Sequence, residues 1–170
     1  MKIVLIVVAA LIVLVLIVVV TGALLPKRHV SSRMAQFHAS PEQLFALIVG
    51  PQSWRPDVAE CEDIQDGGGR HLQRETSRRH ETITYELLAV DPPRSIQRRI
   101  ATPNLPYSGS WTFVLTPAAN GTTVRITEDG EVYNPVFRFV TRFIFGETAT
   151  IDAYLRALGK ATGQDVQPEN

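Results

Sequence analysis

The chain begins with an unbroken apolar run from Ile3 to Val20, which small and apolar residues extend to Leu25. At about 1.5 Å per helical residue, a helix over this stretch would span about 34 Å, whereas the hydrocarbon core of a bilayer is about 30 Å thick. Lipid favours a helix despite the many Val and Ile residues, because every backbone N–H and C=O must be paired within the segment. The pattern predicts a transmembrane helix that contacts the lipid bilayer through residues 3–25.

A cleaved secretory signal is the alternative interpretation of this segment. Lys2 gives a short basic start, and Thr21-Gly22-Ala23 offers small residues to a signal peptidase. The apolar run is, however, longer than the roughly 7–15 residues of a signal core, and Pro26-Lys27-Arg28 follows it like a stop signal. We therefore expect an uncleaved, single-pass membrane anchor.

The orientation of this anchor depends on the charges that flank it. Lys2 precedes the apolar run, and Lys27, Arg28 and Arg33 follow it, which favours a cytoplasmic C-terminal domain. An exported domain held by its N-terminus is the alternative. The lone Cys61 does not decide between them, because a single cysteine forms no intramolecular disulfide.

After the anchor, His29 to Phe37 has a β-compatible composition and is followed by helical spacing. Ser40-Pro41-Glu42-Gln43 combines an N-cap serine, a proline at the first helical position and a capping-box glutamine. The apolar residues that follow repeat at helical intervals until Gly50-Pro51. We predict a helix that starts at Pro41, then a short turn over residues 52–54.

From Val58 to Val132 the pattern changes to two-residue alternation, which is typical of half-buried strands. Turn sequences interrupt it at Gly67-Gly68-Gly69, Asp91-Pro92-Pro93, Pro103 to Gly109 and Ala119-Asn120-Gly121. The apolar sets that share one face are Ile83, Tyr85 and Leu87, then Trp111, Phe113 and Leu115, and then Val124 and Ile126. The alternation predicts a meander of antiparallel strands.

The C-terminal part returns to helical spacing. Asn134-Pro135 is a strong helix start, and apolar residues from Val136 to Leu158 predict one long amphipathic helix that ends near Gly163, with Gly146 as a possible kink. Such a helix must lie across the sheet to bury both apolar faces, so we expect an α+β fold in which a curved antiparallel sheet wraps around the C-terminal helix.

These elements divide the chain into three parts. Residues 1–28 form the transmembrane anchor with a short linker, residues 29–163 form one domain, and residues 164–170 form a frayed polar tail. Since Lys2, Lys27 and Arg28 account for three of the 17 basic residues, the remainder carries 14 basic against 17 acidic residues. This mildly acidic balance argues against a nucleic-acid partner, and Arg78-Arg79-His80 is explained by an exposed hairpin tip.

Several kinds of chemistry lack a sequence signature. The four histidines have no paired spacing with each other or with Cys61, so we predict no metal site and expect the histidines on the surface or in turns. No Gly-x-Ser-x-Gly elbow indicates a nucleophile. Gly67-Gly68-Gly69 precedes a strand-like segment rather than a lysine and a helix, so it predicts a hairpin and no nucleotide. We expect no cofactor, and the oligomeric state is left open.

The order of the elements, together with the cap and turn sequences between them, resembles the START-like or SRPBCC superfamily. This superfamily includes polyketide cyclase/dehydrase-like and lipid-transfer proteins. The residues that carry this resemblance are Ala39-Ser40-Pro41-Glu42, Trp54-Arg55-Pro56-Asp57, Asp91-Pro92-Pro93-Arg94, Gly109-Ser110-Trp111-Thr112-Phe113, Gly121-Thr122-Thr123-Val124 and Thr127-Glu128-Asp129-Gly130-Glu131. The segment from Glu131 to Phe139 looks like a membrane-anchored bacterial branch. The resemblance implies a helix-grip fold with a deep cavity for hydrophobic ligands, and it implies no shared catalytic residue.

We assign no catalytic residue, and Glu128 is a weak candidate for that role. Alternation places it on the apolar face with Ile126, where an isolated carboxylate is costly and is usually paired or functional. An acid or base in the cavity is one interpretation. The other, which we favour, is that Glu128 pairs with an arginine such as Arg98 and shapes the pocket.

The ligand-cavity candidates are aromatic or charged residues on inward-facing positions, where they would either line a cavity or fill the core. They are Tyr85, Arg98, Trp111, Phe113, Glu128, Phe137 and Tyr154.

Three functional hypotheses follow. The leading one is a membrane-anchored module that binds or transports a hydrophobic small molecule or lipid. The second is a cyclase- or dehydratase-like enzyme that uses Glu128 with Tyr85 or Arg98. The third is an interaction domain with a filled core and no cavity.

Overall fold

The computed structural model describes residues 1–170 as an α+β fold that follows an N-terminal apolar helix. The helices are α1 (Lys2–Leu24), α2 (Pro41–Val49), α3 (Pro135–Val140) and α4 (Ala149–Ala161). The strands are β1 (Arg28–Phe37), β2 (Val58–Gln65), β3 (His71–Ser77), β4 (Thr82–Asp91), β5 (Ser95–Ile100), β6 (Tyr107–Ala118) and β7 (Gly121–Val132). A short 3₁₀ turn (Gln52–Trp54) follows α2, and a π-helical turn (Thr141–Phe145) follows α3.

The seven strands form one antiparallel sheet in the order β1-β7-β6-β5-β4-β3-β2. Consecutive strands from β2 to β7 are neighbours, so short hairpins suffice to connect them, and β1 closes the far edge against β7. The register aligns Glu128 with Trp111 and Trp111 with Arg98, which places these three side chains in one row across the sheet. The predicted meander and its α+β class are confirmed.

Helix α2 starts where the sequence predicts it. The Ser40 hydroxyl accepts a hydrogen bond from the Gln43 backbone N–H at 3.3 Å, and the Gln43 side chain accepts one from the Ser40 N–H at 3.2 Å. This reciprocal pair is the predicted capping box, and it satisfies donors that the first helical turn cannot pair. The helix ends before Gly50, whose N–H still bonds to the carbonyl oxygen of Ala46.

The hydrophobic core lies between α4, α2 and the concave face of the sheet. Its fully buried side chains include Phe37, Leu44, Ile48, Ile96, Phe113, Val124, Ile126, Ile151, Leu155 and Leu158. Members from α4 repeat at positions 151, 155 and 158, which is the spacing of one helical face. The sheet therefore grips α4, as the helix-grip prediction requires.

The C-terminal helix is shorter than predicted, because the expected helix over residues 135–163 is divided in two. Gly146 adopts φ +84°, a conformation that side-chain-bearing residues rarely adopt, and the helix resumes only at Ala149. The preceding part, α3 with its π-helical turn, contacts the sheet at β7 but packs mainly against α1. The kink expected at Gly146 is thus a complete break.

Helix α3 packs instead against the end of α1. Gly22 of α1 is buried, and a β-carbon at this position would overlap the carbonyl oxygen of Pro135. Apart from Gly22 and the half-buried Val18 and Thr21, α1 is exposed along its length. It is long and apolar enough to cross a membrane by length and composition.

Residues 164–170 are ordered along β1, so the expectation of a frayed tail is wrong. Met34 and Glu169 exchange backbone hydrogen bonds at 2.8 Å in both directions. Arg33 donates to the carbonyl oxygen of Pro168 at 2.8 Å, and Val166 is buried against the core. A buried apolar residue within a polar segment supplies the hydrophobic contact that holds it in place.

Candidate functional site

A two-chambered cavity lies between the concave face of the sheet and the C-terminal helices. The inner chamber has a volume of about 140 Å³ and the outer chamber about 570 Å³. Tyr85, Trp111 and Thr150 line both, so the two chambers adjoin. An interaction domain with a filled core would lack this space, and the outer chamber falls within the range of about 300–1,000 Å³ typical of small-molecule pockets.

Arginines and aromatic rings line the inner chamber. Arg98 is 4% exposed, donates to Glu75 at 2.5 Å and stacks over the ring of Tyr85 at 4.0 Å. Arg55 donates to the other oxygen of the same carboxylate at 2.9 Å. Glu75 therefore offsets much of the cost of burying two guanidinium groups. The Nε of Arg98 is also buried, without a hydrogen-bond partner.

Two tyrosines give the inner chamber neutral polar groups. Burial raises the pKa of Tyr85 to about 12, and the negative charge of Glu75 acts in the same direction. Burial likewise raises the pKa of Tyr154, whose hydroxyl donates to the side-chain oxygen of Gln52 at 2.9 Å. Both phenols are therefore protonated near neutral pH, so they serve as hydrogen-bonding groups rather than as bases.

Glu128 lies on the inward face of β7, as predicted, and is 8% exposed. Its partners differ from the prediction: Thr150 of α4 donates to one oxygen at 2.8 Å, and the imidazole of His29 lies 3.6 Å from the other. The expected pair with Arg98 is wrong, because Glu75 occupies that arginine. The expectation of a surface position is wrong for His29, whose side chain is only 15% exposed.

The outer chamber is apolar on the side formed by α3 and its π-helical turn. Val136, Phe137, Val140 and Phe145 line it there, while Ile83, Tyr85 and Trp111 line it from the sheet. Phe137 is thus part of the wall, although it lies on α3 rather than on a helix that covers the sheet. The chamber walls include all seven candidates from the sequence, since Tyr85, Arg98, Trp111, Phe113 and Tyr154 line the inner chamber and Glu128 and Phe137 the outer one.

The comparison with protein families agrees with this architecture. The sequence profile described as polyketide cyclase/dehydrase and lipid transport matches residues 28–161, which is most of the chain. The chain belongs to the polyketide cyclase/dehydrase and lipid transport family. The START-like resemblance is confirmed by this match. A comparison with curated proteins found no significant match.

Solved structures of other proteins share this fold. A norcoclaurine synthase from Thalictrum flavum, in complex with a transition-state analogue, is similar with TM-score 0.59 and 16% identity over 79% of this chain and 94% of that one. Ara h 8.0201 is similar with TM-score 0.57 and 13% identity over 81% and 99%. The protein MLL2253 from Mesorhizobium loti is similar with TM-score 0.55 and 19% identity over 77% and 93%. At these identities the likeness shows the fold.

Within this polyketide cyclase/dehydrase and lipid transport family domain, sequence reasoning missed Arg55 in the lining of the inner chamber and buried polar side chains on β3. Glu75 and Gln73 point inward on β3, whereas alternation with Leu72 would have placed them outside. Arg55 belongs to the Trp54-Arg55-Pro56-Asp57 segment that carried the resemblance, which was the one available signal. The pairing of Glu75 with two arginines from distant segments has no local signature. No group of three His, Cys, Asp or Glu side chains is arranged to hold a metal ion.

Proposed function

We propose that this protein is a membrane-anchored module that binds a hydrophobic small molecule or lipid in the two-chambered cavity. The observation that carries the proposal is the wall of the outer chamber: α3, which forms its apolar side, packs against the end of α1. A ligand that leaves or enters along this wall would pass beside the membrane helix.

An exposed apolar patch next to α1 supports this proposal. The patch, here called the α3 patch, consists of Val136, Phe137, Phe143, Ile144 and Phe145, which are 38–70% exposed. Contiguous apolar surface of this kind is typical of membrane or partner contacts. Because the α3 patch adjoins a helix long enough to cross a bilayer, we assign the lipid interface as its environment.

The anchor gives the binding function a physical advantage. A hydrophobic ligand is concentrated in the bilayer, and a pocket held beside that bilayer meets it at a high effective concentration. The flanking charges favour a cytoplasmic position for the domain, as in the sequence prediction.

The test is photocrosslinking of the full-length chain in lipid nanodiscs. A phospholipid that carries a diazirine at the end of its acyl chain is expected to label peptides of the cavity wall, such as the one that contains Trp111. Labelling of α1 serves as the internal reference, because α1 contacts lipid whether or not the cavity binds one. Crosslinks confined to α1 and to Phe143 and Ile144, the two residues of the α3 patch that do not line the cavity, would overturn the proposal.

A matched pair of variants separates the cavity from the outer surface. Ile100→Trp fills the outer chamber, whereas Val114→Trp makes a similar enlargement on the outward face of β6, where Val114 is 40% exposed. We expect loss of cavity labelling in Ile100→Trp and wild-type labelling in Val114→Trp.

A cyclase-like enzyme is the second candidate, and the contact between Glu128 and His29 favours it. A buried carboxylate beside an imidazole in an apolar chamber is suited to acid–base work on a bound substrate. Glu128→Gln should then abolish turnover while the photocrosslinking pattern stays unchanged. A simple binder has no turnover to lose.

A further inference from the structure

A second, polar pocket lies at the junction of α1, the linker and α3. We call it the juxtamembrane pocket. It has a volume of about 270 Å³, and its polar lining includes Lys27, Arg138, Thr141, Arg142 and Glu147. It stands apart from the inner chamber with its buried arginine cluster.

Arg138 is the unusual residue of this pocket. It is only 8% exposed, and the sole hydrogen bond of its side chain runs from Nη1 to the carbonyl oxygen of Leu25 at 2.6 Å. Its Nε is buried without a partner, and no carboxylate lies within ion-pair distance of its guanidinium group. A buried guanidinium without a counter-ion is costly, so its position indicates that an anion completes the pocket.

Two carboxylates in or near the pocket are already paired with other cations. Glu147 pairs with Arg142 at 3.0 Å, and Asp129 pairs with Arg28 at 2.6 Å. Lys27 is exposed and has no ion pair, so it adds a second uncompensated positive charge to that of Arg138. The pocket therefore presents excess positive charge to an incoming anion.

The position of the pocket selects the type of anion. It begins at Leu25 and Lys27, directly after α1, and a bilayer that surrounds α1 would bring its headgroups to this level. Guanidinium groups bind phosphate through paired, charge-assisted hydrogen bonds. The phosphate group of a lipid is therefore the fitting ligand.

The juxtamembrane pocket also adjoins the outer chamber. His29, Val132, Thr141 and Glu147 line both. One molecule could thus occupy both spaces, with a charged head in the first and a hydrocarbon chain in the second. We propose that Arg138 and Lys27 bind the phosphate group of a lipid whose acyl chain enters the outer chamber. This inference rests on the proposed function and names its ligand class.

The experiment compares two diazirine lipids in nanodiscs that contain the full-length chain. Phosphatidic acid carries the phosphate group, and diacylglycerol with the same chains lacks it. We expect phosphatidic acid to label the cavity wall about tenfold more strongly, as one charge-assisted contact to a buried arginine predicts. Equal labelling by both lipids would overturn the inference and leave the proposed function intact, whereas absence of cavity labelling by either would overturn both.

Three variants locate the preference. Arg138→Gln removes the charge and shortens the side chain while leaving it polar, and it should abolish the preference. Lys27→Gln leaves the buried contact untouched and should weaken the preference, which keeps the test valid if Arg138→Gln fails to fold. Arg156→Gln removes an exposed charge on α4 and should retain the wild-type preference. A full preference in both Arg138→Gln and Lys27→Gln would contradict the assignment.

Inorganic phosphate distinguishes a lipid headgroup from free phosphate. We expect millimolar inorganic phosphate to leave the labelling by phosphatidic acid unchanged, because the acyl chain contributes to binding the lipid. Complete competition by inorganic phosphate would assign the pocket to free phosphate and overturn the lipid assignment.

Discussion

The two helical segments on either side of Gly146 have similar apolar periodicity but different environments. Helix α4 buries Ile151, Leu155 and Leu158 against the sheet, where each is at most 1% exposed. The segment of α3 and its π-helical turn leaves Phe143 and Ile144 58% and 64% exposed. The periodicity of a helix thus identifies its apolar face but does not say whether protein or lipid covers that face.

The largest expected effect comes from truncating the buried face. Ile151→Ala should lower the free energy of unfolding by about 2–5 kcal/mol, because it removes buried methyl groups and leaves a cavity. Ile144→Ala is the matched control and should change it by less than about 0.5 kcal/mol. Denaturation of the full-length chain in detergent micelles, followed by tryptophan fluorescence, measures both. Equal losses would mean that the two segments do not differ in packing.

A smaller effect is expected at the break between the segments. Gly146→Ala forces a side chain into a positive-φ conformation and should lower the free energy of unfolding by about 1–3 kcal/mol. Gly67 lies in the β2–β3 hairpin, has no positive φ and has open space around it, so Gly67→Ala serves as the control. If Gly146→Ala is as stable as Gly67→Ala, the break does not depend on glycine.

The third comparison leaves stability nearly unchanged and measures the surroundings of each segment. In a Cys61→Ser background, spin labels at Ile144→Cys and Arg156→Cys would report from the α3 patch and from the exposed face of α4. In nanodiscs, we expect oxygen, which concentrates in lipid, to relax the first label more strongly, and a water-soluble nickel chelate to relax the second. If the nickel chelate relaxes both labels more strongly than oxygen does, the assignment of the α3 patch to the membrane interface is wrong.

Local signals account for the parts of the fold that the sequence predicted well. The capping box at Ser40 and Gln43 depends on residues three positions apart, and the strand faces follow from alternation within each strand. The position of α3 was not predictable from local signals. A helix of six residues takes its position from the partner against which it packs. The same reason explains the ordered segment around Val166.

The candidate site shows the same division. Alternation identified the inward face of β6 and β7, so Trp111, Phe113 and Glu128 were found. The partners of Glu128 were not predicted. His29 comes from β1, far away in the sequence, and Thr150 comes from α4. Ion pairs between remote segments depend on the final register of the sheet, which no single strand encodes.

The close contact of Gly22 with Pro135 limits how far the domain can move relative to α1. Arg138 also holds the Leu25 carbonyl, and the Val132 N–H bonds to the Lys27 carbonyl at 2.8 Å, so little slack chain separates α1 from the domain. A flexible linker would let the domain move away from α1 and contact another bilayer. In the proposed membrane-anchored arrangement, this short connection would keep the domain beside the leaflet from which α1 emerges. Any cargo that it exchanges would therefore be drawn from, and returned to, that same leaflet.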